Sequence, residues 1–269
     1  MSAAAEPIVL PEQGEWVTPY TQCIRHRNAS PLTFKGTNSW LVGAPGGEGC
    51  LIVDPGPDTE EVMERCERTA AEDGRAIRAL VTTHYHADHA GCADVLAERR
   101  GVPHLCVAHG NLPEGPLQVP GVDAELAVVP LPGHSSDSVA LYVPAASAMI
   151  TGDVIFAQSP TMVCWPDGKM AAYLASLDTL ERYADLHQVE LLLTGHGPVI
   201  RNPAARIQAV REHRMERLHQ VVQAVADGVP AEAGALVDAV YTDVPDRLRP
   251  GALRSVHAQL VYAADHGLI

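Results

Sequence analysis

The stretch Thr83-His84-Tyr85-His86-Ala87-Asp88-His89-Ala90-Gly91 places four metal-competent side chains within six residues. Imidazole nitrogens and a carboxylate suit zinc or a similar first-row divalent ion. The spacing H-x-H-x-D-H divides the duties. His84 and His86, two apart on nearly extended backbone, face one side. Asp88 and His89 sit where the chain turns and address a second point nearby. Two neighbouring metal ions are therefore expected. A lone histidine is ordinarily a surface or satisfied core residue, but that reading does not suit four ligand types packed together.

Such a cluster needs a rigid mount, and the flanking residues supply one. Residues 76–82, Ala-Ile-Arg-Ala-Leu-Val-Thr, form a short apolar run that reads as a buried strand. Residues 92–99 read as a helix that ends at Gly101, with Pro103 beyond it. Strand end, polar loop and helix start follow one another without spare chain.

Further motifs complete a family resemblance. Asp54 lies in Leu51-Ile52-Val53-Asp54-Pro55-Gly56, His134 in Pro132-Gly133-His134-Ser135-Ser136-Asp137, Asp153 in Thr151-Gly152-Asp153-Val154, and His196 in Thr194-Gly195-His196-Gly197-Pro198. With the histidine loop, in this order over residues 54–196, they resemble the signature of the metallo-β-lactamase fold superfamily. The resemblance implies an α/β fold of the αββα sandwich type. It implies that His84, His86 and His134 hold one metal ion, that Asp88, His89 and His196 hold a second, and that Asp153 bridges them. Two zinc ions are the implied cofactors, with iron or manganese as alternatives. Water shared by two such ions is expected to ionise near neutral pH, and Asp88 is the catalytic candidate that would orient it. Asp54 would stand behind the ligands and fix a histidine tautomer. As a residue before Pro-Gly it reads equally well as a turn former.

Length and composition bound these expectations. A chain of 269 residues accommodates one large domain and a small appendage. The expected division is a catalytic domain over 1–200 and a helical, winged-helix-like domain over 201–269. A net charge of −14 argues against general affinity for nucleic acid or anionic membranes. The N-terminus shows no signal-peptide pattern, and no apolar run reaches the roughly 20 residues that cross a bilayer. Six scattered cysteines without C-x-x-C spacing read as reduced thiols, so a cytoplasmic chain is expected.

Read in order, residues 1–37 are polar and Pro-rich, with a strand candidate at 7–10. A hairpin is expected over 36–54, a helix over 58–73, a short strand at 104–108 and a loop over 109–121. Strands at 125–131 and 138–143 flank His134, and another at 148–151 leads to Asp153. Residues 157–169 read as an irregular loop and a candidate substrate wall. A helix over 170–186 and a strand at 189–193 lead to His196. Helices are expected over 202–227, 231–241 and 250–266, a winged-helix-type tail without a full wing. Every candidate ligand lies at or just past a strand end, so two strand layers should feed one edge with helices outside.

Three functions compete. The leading one is a dinuclear zinc hydrolase acting on a small ester, thioester or lactone, with a small molecule as its partner. The second follows from Gly36-Thr37-Asn38, Gly195-His196-Gly197-Pro198-Val199-Ile200 and Ser255-Val256-His257-Ala258-Gln259-Leu260, which resemble the β-lactamase-like protein 2 group. That resemblance implies cleavage of single-stranded RNA, for which Arg201, Arg206, Arg211, Arg214 and Arg217 would form a basic face. Glu212 and Glu216 interleave with them as i,i+4 partners, so a solvated helix face is the preferred reading. Cys92, where a second glycine is usual, departs from the group's pattern. The third is an iron-dependent oxidoreductase resembling the persulfide dioxygenases of this fold. Asp153, where one β-lactamase subgroup has a cysteine, argues against that subgroup. Tyr85, His109, Asp137 and Cys164 are candidate pocket residues, and Lys169 and Arg201 are candidate anchors for an anion. The tail is expected to close the pocket or to form a homo-oligomer.

Overall fold

Burial on both faces of the strands decides the architecture. In a computed structural model, which describes residues 14–242 and 244–269, the central strands are buried on both faces and so read as continuous apolar runs. The chain runs β1 (Glu15–Thr18), β2 (Thr21–Arg25), β3 (Asn38–Val42), β4 (Gly49–Val53), α1 (Glu60–Glu72), β5 (Ala76–Val81), α2 (Ala87–Ala90), α3 (Ala93–Arg100) and β6 (His104–Leu105). It continues β7 (Gly115–Leu117), β8 (Leu126–Pro130), β9 (Val139–Val143), β10 (Ala148–Gly152), α4 (Met170–Leu186) and β11 (Leu191–Thr194). The tail is α5 (Pro203–Ala226), α6 (Ala233–Val240) and α7 (Arg249–Asp265).

Two sheets result, one in the order β1-β2-β3-β4-β5-β6 and one in the order β11-β10-β9-β8-β7. Trp40 pairs with Val53 and Val42 with Leu51, and these side chains pack between the sheets against Leu141, Ile150 and Leu193. The intervening Leu41, Cys50 and Ile52 point outward and are covered by Val62, Met63, Cys66 and Leu96 of α1 and α3. On the second sheet, Ala140, Met149 and Leu192 are covered by Tyr173, Leu177 and Leu180 of α4 and by Ile207 and Val210 of α5. Helix, sheet, sheet, helix is the expected αββα order.

Helix ends follow local chemistry. The Thr59 hydroxyl accepts from the Val62 N–H and opens α1, and the Asn202 carboxamide accepts from the Ala205 N–H and opens α5 with Pro203 just inside. Gly101, in the left-handed region at φ 64°, ends α3.

Several expectations are corrected. The strand expected at 104–108 stops at Leu105, because the chain enters a turn over 107–110. The loop expected over 109–121 contains β7, an edge strand whose Pro116 tolerates the unpaired side. Strands β1 and β2 are hidden in a polar, Pro-rich segment, and the strand candidate at 7–10 lies outside the described residues. The three tail helices are present as expected: among the described residues no strand follows Thr194, and one 3-10 turn lies at Asp246–Leu248. Its core, with Val221, Leu236, Val237 and Val256, continues into the α4 layer through Met170, Leu218 and Ala263. No described helix is long and apolar enough to cross a membrane.

Candidate metal centre and active site

Strand ends of both sheets deliver the candidate ligands to one edge. His84 and His86 follow β5, Asp88 and His89 lie on the one-turn helix α2, Asp153 follows β10 and His196 follows β11. His134 sits in the turn between β8 and β9. Each of two groups, His84 with His86 and His134, and Asp88 with His89 and His196, offers ligand atoms within 4.8 Å of one another. Asp153 lies between them, with Oδ1 3.2 Å from His89 Nε2, and Oδ2 3.5 Å from His196 Nε2 and 3.8 Å from His134 Nε2. These distances suit a bridging carboxylate.

The imidazoles are oriented from behind. His89 Nδ1 donates to Asp54 Oδ2 at 2.9 Å, His134 Nδ1 to the Met162 carbonyl at 2.8 Å, and His196 Nδ1 to the Gly36 carbonyl at 3.3 Å. Thr83 Oγ1 donates to Asp54 Oδ2 at 2.7 Å and accepts from His84 Nδ1 at 3.0 Å. When neutral, each of these rings presents an Nε2 lone pair to the centre, the tautomer a metal requires. Two such nitrogens, His89 Nε2 and His196 Nε2, stand 3.2 Å apart, and His86 Nδ1 stands 3.0 Å from His134 Nε2. Converging lone pairs need a cation or a proton between them. His84 Nε2 and Asp153 Oδ1 are buried without a hydrogen-bond partner. Orphaned polar atoms inside a set of N and O donors fit divalent ions.

Electrostatics agree. Burial drives His84 well below its ordinary value, so its ring is neutral and ready to ligate. Burial also opposes charge on His196 and His89, but carboxylates outweigh it. Asp153 and Asp88 push His196 up to about 9, and Asp153 and Asp54 hold His89 well above the usual histidine range. Burial raises Asp153 and Asp88, yet His196 and His89 bring both below the carboxylate range, Asp153 the further. The cluster is therefore rich in negative charge wherever these imidazoles are neutral.

Asp54 is fully buried at φ 52°, and its backbone N–H is held by the Val81 carbonyl. Both readings of this residue meet here, since it turns the chain and orients two histidines. Gly195 allows the close approach at the centre, because a Cβ there would lie 2.4 Å from Asp153 Oδ1 and 2.6 Å from His89 Cε1.

Two supporting residues are given no role by the sequence, although Asn38 belongs to a motif that carries the resemblance. Asn38 donates to the Thr194 and Gly197 carbonyls at 3.1 and 2.9 Å and clamps the His196 loop onto the first sheet. His26 Nε2 donates to Ser39 Oγ at 2.6 Å, and that hydroxyl donates to the Asp54 carbonyl. A polar residue opening or just following a buried strand is the available signal.

A cavity of about 730 Å³ opens on the centre and reaches His86, Asp88, His134, Asp153 and His196. Its walls include Leu32, Phe156, Met162 and Trp165, so part of the loop 157–169 forms the wall, and Arg247 and Arg254 enter from the tail. Tyr85 and Cys164 line it, the Tyr85 hydroxyl donating to Asp167 Oδ2 at 3.3 Å. Asp137 accepts from the Ser135 hydroxyl at 2.7 Å and is not among the lining residues. His109 packs against His104, and Lys169 precedes α4 without a side-chain cap bond. Arg201 lines a separate depression beside Glu181, Asp185 and Glu190.

The α5 arginines weighed as a basic face, with a solvated face preferred, make structural contacts instead. Arg206 donates to the Phe156 and Ser159 carbonyls at 2.6 and 2.8 Å, and Arg211 pairs with Asp178 and Glu181 at 2.8 Å each. Arg214 is buried over the Tyr173 ring, and Arg217 lies over the Tyr241 ring. Glu212 and Glu216 accept from Gln208 and Gln220.

Comparison with known proteins agrees with this geometry. The metallo-beta-lactamase superfamily model matches residues 32–119 and 108–196. A beta-lactamase-like protein 2 homolog of Caenorhabditis elegans is 26% identical over 93% of this chain and 85% of its own length. An atrochrysone carboxyl ACP thioesterase of Pseudocercospora fijiensis is 31% identical over 79% of this chain and 62% of its own length. A metallo-beta-lactamase family protein of Thermus thermophilus superposes with a TM-score of 0.77 at 21% identity, covering 94% of this chain and 95% of that one. Since the matched span carries the whole converging set of histidines and aspartates, the chain belongs to the metallo-beta-lactamase superfamily and is a hydrolytic enzyme of that family.

Proposed function

We propose that this protein is a dinuclear zinc hydrolase of small thioesters or esters that combine an apolar acyl group with an anionic part. The observation that carries this reading is the meeting of two three-ligand groups around Asp153 on the floor of a largely apolar cavity. His84, His86 and His134 would hold one ion, Asp88, His89 and His196 the other, and Asp153 both. Bound there, the ions supply Lewis-acid polarisation of a carbonyl and lower the pKa of water.

The chain's own residues do the rest. Asp88 is part-exposed to the cavity, 3.1 Å from His196 Nε2, and remains a carboxylate at neutral pH. It can accept a hydrogen bond from the attacking water and aim it. Phe156, Met162, Trp165 and Leu32 exclude water from around the acyl chain, which strengthens every charge interaction at the reacting carbonyl. Arg247 and Arg254 offer two exposed cations at the tail side of the cavity for a phosphate or carboxylate of the substrate. The similarity to a named thioesterase favours thioesters within this class.

The test is turnover by zinc-loaded protein of three panels: acyl thioesters, lactones, and a labelled single-stranded RNA oligomer. Thioester cleavage that rises with acyl length and is lost in Asp88→Ala is expected. RNA cleavage with every ester untouched would overturn the reading. So would oxygen consumption by a single-iron form.

A further inference from the structure

Outside the catalytic cavity, the turn after β6 gathers another set of metal-competent atoms. His104, Cys106 and His109 present ligand atoms within 4.8 Å of one another. Asp94, on α3, faces the same point, with Oδ1 2.7 Å from His104 Nδ1 and 3.9 Å from His109 Nε2. Two imidazoles, one thiol and one carboxylate have thus been brought together from two elements. None of the four lines the catalytic cavity.

We infer that His104, Cys106, His109 and Asp94 form a further, structural site for a divalent ion of the zinc type. The donor set is borderline-soft and four in number, which suits tetrahedral zinc. Ligand atoms around such an ion stand about 3.3–3.8 Å apart, within reach of the present separations by small side-chain rotations. The spacing H-x-C-x-x-H results from a tight turn in which the Gly110 N–H bonds to the Val107 carbonyl at 2.9 Å and Gly110 takes φ 68°.

The turn is held in place independently of any ion. Asn111 accepts from the Cys106 N–H and donates to the His104 carbonyl, both at 2.9 Å, closing the loop on itself. His104 Nε2 lies 3.0 Å from the Thr82 hydroxyl, which fixes the ring and leaves Nδ1 facing Asp94 and His109. A ring nitrogen 2.7 Å from a carboxylate oxygen needs a proton or a cation between them. The N–H groups of His109 and Ala108 address the Cys106 sulfur.

The site has a use in the fold. Strand β6 is two residues long and forms the edge of the six-stranded sheet, beside β5, which delivers the histidine loop. An ion joining the β6 turn to α3 would tie that edge down on both sides.

Cobalt(II) substitution separates this site from the catalytic one, because the catalytic set contains only nitrogen and oxygen donors. Chelator-stripped full-length protein titrated with cobalt should develop the intense near-ultraviolet thiolate-to-cobalt absorption. Cys106→Ser should lose that absorption and bind one equivalent fewer than wild type, while Cys164→Ala keeps both. His109→Ala, a change at an exposed position, should weaken zinc at this site at least tenfold. The difference between variants, rather than the total, is the readout, so it stands whether the catalytic centre holds one ion or two. Failure of the absorption to appear in folded wild type, or its persistence in Cys106→Ser, would overturn the assignment.

Discussion

Asp54 Oδ2 accepts the Nδ1 proton of His89 at 2.9 Å, and the same oxygen accepts the Thr83 hydroxyl that orients His84. One buried carboxylate therefore sets the tautomer of a ligand in each proposed metal group. Asp54→Asn keeps the shape and tolerates the left-handed backbone, but removes the charge and the double acceptor. Folding should survive, while affinity at both positions falls roughly 10- to 100-fold. Competition with a zinc-binding dye measures this directly.

Proton release should accompany metal uptake. In the metal-free chain Asp153 and Asp88 hold His196 up to about 9, so at pH 7.5 its ring carries a proton that an ion must displace. Affinity at the His89–His196 position should rise with pH and level off near 9. Calorimetric titration in two buffers of different ionisation enthalpy should report at least one proton released per ion pair bound. Equal heats in both buffers would contradict it.

Acid stability depends on His26. Burial, then the Arg65 charge, lowers it to about 3, so the folded protein keeps this ring neutral. A depressed histidine contributes stability that is complete above its unfolded value near 6.5 and is lost as pH falls toward 3. Between pH 7 and pH 5 the loss amounts to about 2 kcal/mol. His26→Gln, which retains a donor to Ser39, should flatten that part of a denaturation-versus-pH curve. A parallel curve at lower overall stability would show that His26 does not titrate there.

Arg254 and Arg247 reach the cavity from the tail, and their contribution should appear as substrate charge selectivity. Replacing either by Ala should raise KM for an anionic thioester roughly five- to tenfold, about 1 kcal/mol for an exposed ion pair. The kcat for that substrate and both constants for a neutral ester should stay unchanged. Equal losses on charged and neutral substrates would remove the tail from substrate recognition.

The pattern of His84, His86, Asp88 and His89 is legible in the sequence because ligand spacing is local and each follows a strand read from its apolar run. Long elements are legible for the same reason, as α4 shows by matching the expected span of 170–186. Asp54 is ambiguous, since its turn role and its histidine contact are both real and only the second needs tertiary structure. Asn38 and His26 escape assignment because their partners, the His196 loop and Ser39, come from a different sheet and a neighbouring strand. The arginines of α5 can be placed on a helix, but carbonyls of the loop after β10 and rings of Tyr173 and Tyr241 absorb several of them. Strand β7 is invisible because an edge strand with Gly115 and Pro116 has the composition of a loop.

Anomalous diffraction from zinc-loaded crystals tests the central claim most directly. At this centre, apart from any peak at the His104 turn, two peaks about 3.5–4 Å apart are predicted, one among His84, His86 and His134, the other among Asp88, His89 and His196, with Asp153 touching both. A single peak, or full zinc occupancy with none at this centre, would contradict it.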